Sequence, residues 1–188
     1  MNLDVLDRPI ETGRLVLRLV SEADLDGLFA AHGDDEVTRF IPSSTWTSRE
    51  DAVAWLARNA AMHAEGKARR WAIVEKGSER RIGDCMLFNF DAGSSRAELG
   101  FVIGRRDWGK GLMREAAQAL IATGFEALGL RRIEAFADPR NVGSDRLLRR
   151  LGFAHEGLLR QRSVMKGEVK DSNVYGLLRA EWAQARAV

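Results

Sequence analysis

The sequence predicts one mixed α/β (α+β) domain over residues 1–188, with a mostly antiparallel central sheet of about seven strands flanked by helices. Three observations carry this. Three β-rich runs follow one another through short turns. A long amphipathic stretch then stops at a glycine and leads into another strand-like run, the mark of a crossover. A chain of 188 residues that is 45% apolar can also close one core.

In chain order, residues 12–20 form an apolar run interrupted by Arg14 and Arg18 and read as a first strand. Ser21 is placed to cap a helix whose Leu25, Leu28 and Phe29 share a face. Pro42 stops that region. Ser48 opens a second helix with Val53, Trp55, Leu56 and Met62, ending near Gly66. The runs 70–75, 81–90 and 96–103 are separated by turn residues at 76–78 and 91–94, which implies an antiparallel meander. Residues 112–128 form a long helix with Leu112, Ala116, Ala119, Leu120 and Phe125 on its buried face and Gly129 as its stop. Residues 131–137 make a fifth strand, parallel to 96–103. A helix over 142–151 closes at Gly152. Residues 153–163 and 169–178 pair around Lys166 and Gly167, and a last short helix holds Glu181 and Trp182.

Composition removes several function classes. Cys85 stands alone, so neither an internal disulfide nor a multi-cysteine zinc site can form. It reads as a small buried hydrophobe. His32, His63 and His155 are far apart, and no metal is expected. The net charge of +2, from 24 arginines and 5 lysines against 27 acidic residues, gives no reason to expect nucleic acid. The acidic N-terminus lacks the apolar stretch of a secretory signal, and no run reaches ~18 apolar residues. A cytoplasmic protein with no membrane contact is expected.

The glycines are unevenly placed. Gly93, Gly100, Gly104, Gly109 and Gly111 fall close together, around the passage from the strand at 96–103 to the long helix. A helix N-terminus offers unpaired N–H groups and a partial positive charge, which suits a phosphate. Gly109 and Gly111 let backbone amides approach a ligand, and Arg106, Lys110 and Arg114 add charge. The spacing lacks the G-x-x-x-x-G-K-[ST] of a P-loop. Arginine at 114 and the preceding meander argue against a dinucleotide fingerprint. What stands is R-x-x-G-x-G at Arg106, Gly109 and Gly111.

That motif resembles the acetyl-CoA pyrophosphate loop of the GNAT N-acetyltransferases. Asn141 and Ser144, followed by Leu151, Gly152 and Phe153, resemble a second segment of the family. Glu11, Thr12, Arg14, Leu15, Leu17 and Arg18 at the start, and Asp171, Tyr175, Leu177, Leu178, Glu181 and Trp182 at the end, resemble its RimJ/RimL branch, which acetylates ribosomal-protein N-termini. The resemblance implies a GNAT fold, acetyl-CoA as co-substrate, and an amine acceptor that is a protein N-terminus or a small molecule such as a polyamine, amino acid or antibiotic. It also implies a homodimer. A non-catalytic acyl-CoA-binding module on the same fold is the rival reading.

Roles follow from the resemblance residue by residue. Glu98 matches the family's general base, with a structural strand glutamate as the alternative. Ser144 stands as the acid for the departing sulfur, because the family's usual tyrosine position is Leu148 here; helix capping is its alternative. Tyr175 is an outside candidate for the acid, with strand packing as its alternative. Asn141 matches a residue that contacts the pantetheine arm, with a turn or cap as its alternative. Backbone amides of Val102 and Ile103 are expected to pair with pantetheine, and those of Trp108, Gly109, Lys110, Gly111, Leu112 and Met113 to hold the pyrophosphate. Phe40, Trp46 and Asn89 resemble the family's acceptor wall.

Overall fold

The computed structural model describes residues 1–186; residues 187–188, the end of the expected domain, lie outside the described residues. One eight-stranded sheet organises it, in the order β1 (Ile10–Glu11), β2 (Leu15–Leu19), β3 (Ala68–Glu75), β4 (Arg81–Asp91), β5 (Arg96–Ile103), β6 (Arg132–Ala137), β8 (Glu168–Leu178), β7 (Ala154–Met165). Every neighbouring pair is antiparallel except β5 with β6. The expected first strand, 12–20, is a turn at 12–14 followed by β2, and the turn joins it to an unexpected β1 at Ile10–Glu11; Thr12 N–H donates to Leu15 O at 2.9 Å. β1 is the strand beyond the seven expected.

Among the described residues, six α-helices complete the fold: α1 (Leu25–His32), α2 (Asp35–Thr38), α3 (Arg49–Ala64), α4 (Leu112–Glu126), α5 (Val142–Arg150) and α6 (Arg179–Arg186). Ser21 opens a 3₁₀ turn, Glu22–Asp24, that runs into α1. Ser48 caps α3 by accepting from Asp51 N–H, while the Asp51 carboxylate accepts from Ser48 N–H. Val53 is exposed, and α3 instead buries Ala52, Trp55 and Asn59.

The main core lies between the sheet and α4 and α5. It gathers Leu15, Leu17, Cys85, Leu87, Ala97, Leu99, Leu120, Ile121, Phe125 and Leu148. Met113, Ala117 and Ile121 join the buried residues expected for α4, while Ala119 is only half-buried. Each fully buried Leu, Ile or Phe stabilises the fold by ~1.5–3 kcal/mol. A smaller core of Leu25, Leu28, Trp46, Ala52 and Trp55 lies on the opposite face, under α1 and α3. Since Ala97 and Leu99 point into the main core, Glu98 between them points to the α1 and α3 face.

Candidate active site

The parallel ladder between β5 and β6 is short. It pairs Arg96 with Arg132, Ala97 with Ile133 and Glu98 with Glu134, and then stops. β5 continues to Ile103 held only by β4, and β6 continues to Ala137 held only by β8. The two strands part and expose a backbone edge on each side of a gap. Being parallel, both run to the same end of the sheet. The 104–111 loop enters α4 there, and the 138–141 loop enters α5. Crevices at the C-terminal ends of parallel strands are where α/β sheets bind ligands.

Antiparallel alternation decides which peptide groups face the gap. Gly104 N–H donates to Ile82 O at 2.9 Å. Gly104, Val102 and Gly100 therefore turn toward β4, while Ile103, Phe101 and Leu99 turn toward the gap. This corrects one expectation. The Val102 amide is committed to the ladder opposite Asp84, and Phe101 joins Ile103 at the open edge. The Ile103 carbonyl accepts from Trp108 Nε1 at 2.8 Å.

The loop itself begins with a 3₁₀ turn, Arg105–Asp107. Trp108 N–H closes it on Arg105 O at 3.2 Å. The Trp108 amide is thus already used, which corrects a second expectation. From Gly109 to Arg114, the successive N–H groups have no hydrogen-bond partner among the described residues. Gly109 and Gly111 hold φ at +74° and +75°, a conformation that costs a side-chain-bearing residue ~1–2 kcal/mol. Nothing lies within 4 Å of where a Gly109 Cβ would stand. Gly111 is the N-cap of α4 and brings no side-chain cap. The result is an open row of donors at a positive helix end, the arrangement that binds phosphate oxygens.

The loop's charges are sorted. Arg106 and Arg114 are exposed and make no ion pair among the described residues. Lys110 reaches back to Asp107 at 2.9 Å, and Arg80 binds the same carboxylate at 3.0 Å. Burial works to raise the Asp107 carboxyl, but the Arg80 and Lys110 hydrogen bonds and charges outweigh it and hold it below the usual carboxylate range. Behind the loop, Glu115 accepts from Thr12 Oγ1 at 2.6 Å and from the Arg14 amide and Nε at 2.8 and 2.6 Å. Arg14 Nη1 donates to Lys110 O at 3.1 Å. Arg14 and Glu115 stand 101 positions apart, so no local pattern announces this clamp.

Other expected residues gather around the gap. Glu98 is half-buried and accepts from Asn89 Nδ2 at 3.0 Å. Asn89 sits at φ +50° in an irregularity of β4 between Phe88 and Asp91. Asn141 caps α5, accepting from Ser144 N–H at 3.0 Å. Capping therefore belongs to Asn141, and the Ser144 hydroxyl makes no hydrogen bond among the described residues. Tyr175 is fully buried and donates to Asp145 Oδ1 at 2.7 Å, a packing role. Burial and the Asp145 carboxylate push its hydroxyl pKa up.

Two aromatics of the expected acceptor wall differ. Phe40 is half-buried between the Arg39 and Arg140 guanidinium groups, 5.2 and 5.8 Å from its ring centre. Trp46 is 3% exposed and stacks on His32 with ring centres 4.5 Å apart. Its burial in the second core corrects its expected contact with an acceptor; it supports the wall from within. Cys85 is fully buried, and burial and Asp84 push its thiol pKa well up, so it is no nucleophile. Among the described residues no group of three or more His, Cys, Asp or Glu side chains could hold a metal. No helix among them is long and apolar enough to cross a membrane.

Known proteins resemble this chain in sequence and in fold. Residues 14–154 match the family described as Acetyltransferase (GNAT) domain. The uncharacterized N-acetyltransferase p20 of Bacillus licheniformis is 38% identical over 172 residues, covering 92% of this chain and 97% of that relative. The ribosomal protein uS5-alanine N-acetyltransferase of Escherichia coli is 30% identical over 186 residues, covering 94% of each. The crystal structure of a GNAT-family acetyltransferase from Bacillus anthracis superposes with a TM-score of 0.82 at 26% identity, covering 93% of this chain and 100% of that one.

Proposed function

Because the chain belongs to the GNAT family and is an acetyl-CoA-dependent N-acetyltransferase, we propose that it works as one domain that moves an acetyl group directly onto a protein N-terminal amine. The observation that carries the cofactor half of this reading is the open donor row from Gly109 to Arg114 beside the unpaired edge of β5. Near-complete coverage of the uS5-alanine N-acetyltransferase supports the acceptor half. The proposed compartment is the cytoplasm.

In this reading, the amides of Gly109 through Arg114 hold the pyrophosphate, with Arg106 and Arg114 adding charge. The peptide groups of Phe101 and Ile103 pair with the pantetheine arm like an added strand. Glu98 takes the proton that an α-ammonium, with a pKa of about 8, must lose before it can attack. A water molecule can carry that proton. The Ile103 N–H faces the thioester oxygen as it becomes anionic. The amine nitrogen bonds to the carbonyl carbon and the carbon–sulfur bond breaks; Ser144 gives a proton to the leaving sulfur and is reprotonated by the second proton that the nitrogen sheds as it becomes an amide. A thiol pKa of ~8.5 already makes that sulfur a fair leaving group, so Ser144 assists rather than decides. No covalent enzyme intermediate is required.

A homodimer is proposed with this function. The outer strand β7 and its partner β8 expose Leu158, Leu159, Val164 and Val169, which supports pairing there. Light scattering tests it. The acceptor is tested by free-CoA release against N-terminal peptides, polyamines and aminoglycosides. Turnover on peptides supports the reading. Turnover on small amines alone moves the acceptor class, and acetyl-CoA binding without turnover on any amine supports a non-catalytic module.

A further inference from the structure

We propose that the acceptor carries an acidic side chain near its amine, and that Arg39, Arg140, Lys166 and Lys170 form the subsite that binds it. The inference rests on the acetyltransferase reading above and narrows its substrate. A cavity of about 220 Å³ lies where the β7–β8 hairpin tip meets the end of α2 and the loop before α5. Its lining is Arg39, Arg140, Met165, Lys166, Glu168 and Lys170. This is smaller than the ~300–1,000 Å³ of sites for drug-sized ligands, and suits one carboxylate with its waters.

The fold holds the cluster together from three directions. Lys166 and Gly167, at φ +52° and +78°, turn β7 into β8 with Met165 opposite Glu168. Lys166 Nζ donates to Thr38 O at 2.8 Å and docks the hairpin tip on the end of α2. Arg140 precedes the α5 cap Asn141, so the cavity adjoins the end of the gap between β5 and β6. Phe40, between Arg39 and Arg140, holds both guanidinium groups against its faces.

The charges do not cancel. Asp138 binds Arg140 at 2.6 and 2.9 Å, and Glu168 pairs with Lys170. Arg39 makes no ion pair among the described residues, and the Lys166 ammonium meets only a carbonyl. Four cations thus face two carboxylates, which leaves a local excess of two positive charges. This excess lies beside Phe40 of the acceptor wall. Such a concave positive site draws anions, and the unpaired Arg39 guanidinium fork matches a carboxylate's two oxygens, while Arg140 is held bidentate by Asp138.

The test compares N-terminal peptides with Asp or Glu at positions two to four against their Asn or Gln twins, with free acidic amino acids as a separate arm. Expected is a kcat/KM about tenfold higher for the acidic peptides, shrinking as salt rises. Arg39→Glu, at an exposed position, should collapse or invert that ratio. Binding of the N-acetylated product peptides to the CoA-loaded enzyme is measured in parallel and needs no turnover. Tighter binding of the acidic product, lost in Arg39→Glu, supports the subsite even where turnover fails. Equal kcat/KM and equal binding for acidic and neutral twins would overturn it while leaving the acetyltransferase reading intact. A preference confined to free amino acids would overturn the peptide assignment.

Discussion

Asn89 donates from Nδ2 to Glu98 Oε1 at 3.0 Å, from a backbone position at φ +50° in the irregular part of β4. The bond fixes one carboxylate oxygen and leaves the other for a water or an amine. Glu98→Gln keeps the shape and removes the base. Turnover should fall about 10²-fold or more, within the range general base catalysis supplies, with the KM for acetyl-CoA within about twofold. Steady-state kinetics check both parameters.

Asn141 and Ser144 have separable roles. Asn141→Ala removes the α5 cap and should cost ~1 kcal/mol of stability, read by urea unfolding. Ser144→Ala keeps the amide that Asn141 accepts from, so stability should hold within about 0.5 kcal/mol. Its turnover should fall only about tenfold, since a thiolate leaves fairly well unaided. A large stability loss in Ser144→Ala would return that residue to a structural role.

Gly109→Ala and Gly111→Ala both force a side chain to φ near +75°. Each should cost ~1–2 kcal/mol of stability. Each should also raise the KM for acetyl-CoA at least about tenfold, because the amides lose their approach to phosphate. Turnover at saturating acetyl-CoA should change much less. Calorimetric titration with CoA measures the loss directly.

Asp84 is fully buried with Arg70 bonded to one oxygen and His32 Nε2 at 2.6 Å from the other. Burial works to raise its carboxyl, but the Arg70 guanidinium and the His32 ring outweigh it and hold it below the ordinary 3.8. The folded state therefore holds the proton less tightly than the unfolded chain. The stabilisation is complete above the unfolded value and is lost as pH falls below about 4 through the folded one. Asp84→Asn strands Arg70 and should destabilise the protein by ~3–5 kcal/mol at pH 7. The gap to the unsubstituted protein should narrow near pH 3. Urea unfolding at the two pH values checks this.

Much of this molecule is legible in the local chemistry of its sequence. Ser48, Gly111 and the turn glycines announce element ends, because capping and positive φ are properties of single residues. The loop from Arg106 to Gly111 could be placed for the same reason. What sequence reading missed depends on distant partners or on phase. Thr12–Arg14 forms a turn whose carboxylate partner, Glu115, lies in α4. That Phe101 and not Val102 faces the gap is invisible in sequence, because a strand's two backbone edges look alike until one pairing is known. Trp46 carries the composition of a binding wall, yet His32 and Trp55 enclose it. Trp108 lost its amide to a 3₁₀ turn that no residue in 105–107 advertises.

Diverging strands and an uncapped helix start are proposed to hold acetyl-CoA. Backbone amide exchange with and without CoA tests this most directly. Protection is expected only at Phe101 and Ile103 and from Gly109 to Arg114, with Gly100, Val102 and Trp108 unchanged because their amides are already bonded. Protection elsewhere, or none in these two segments despite CoA binding, would contradict it.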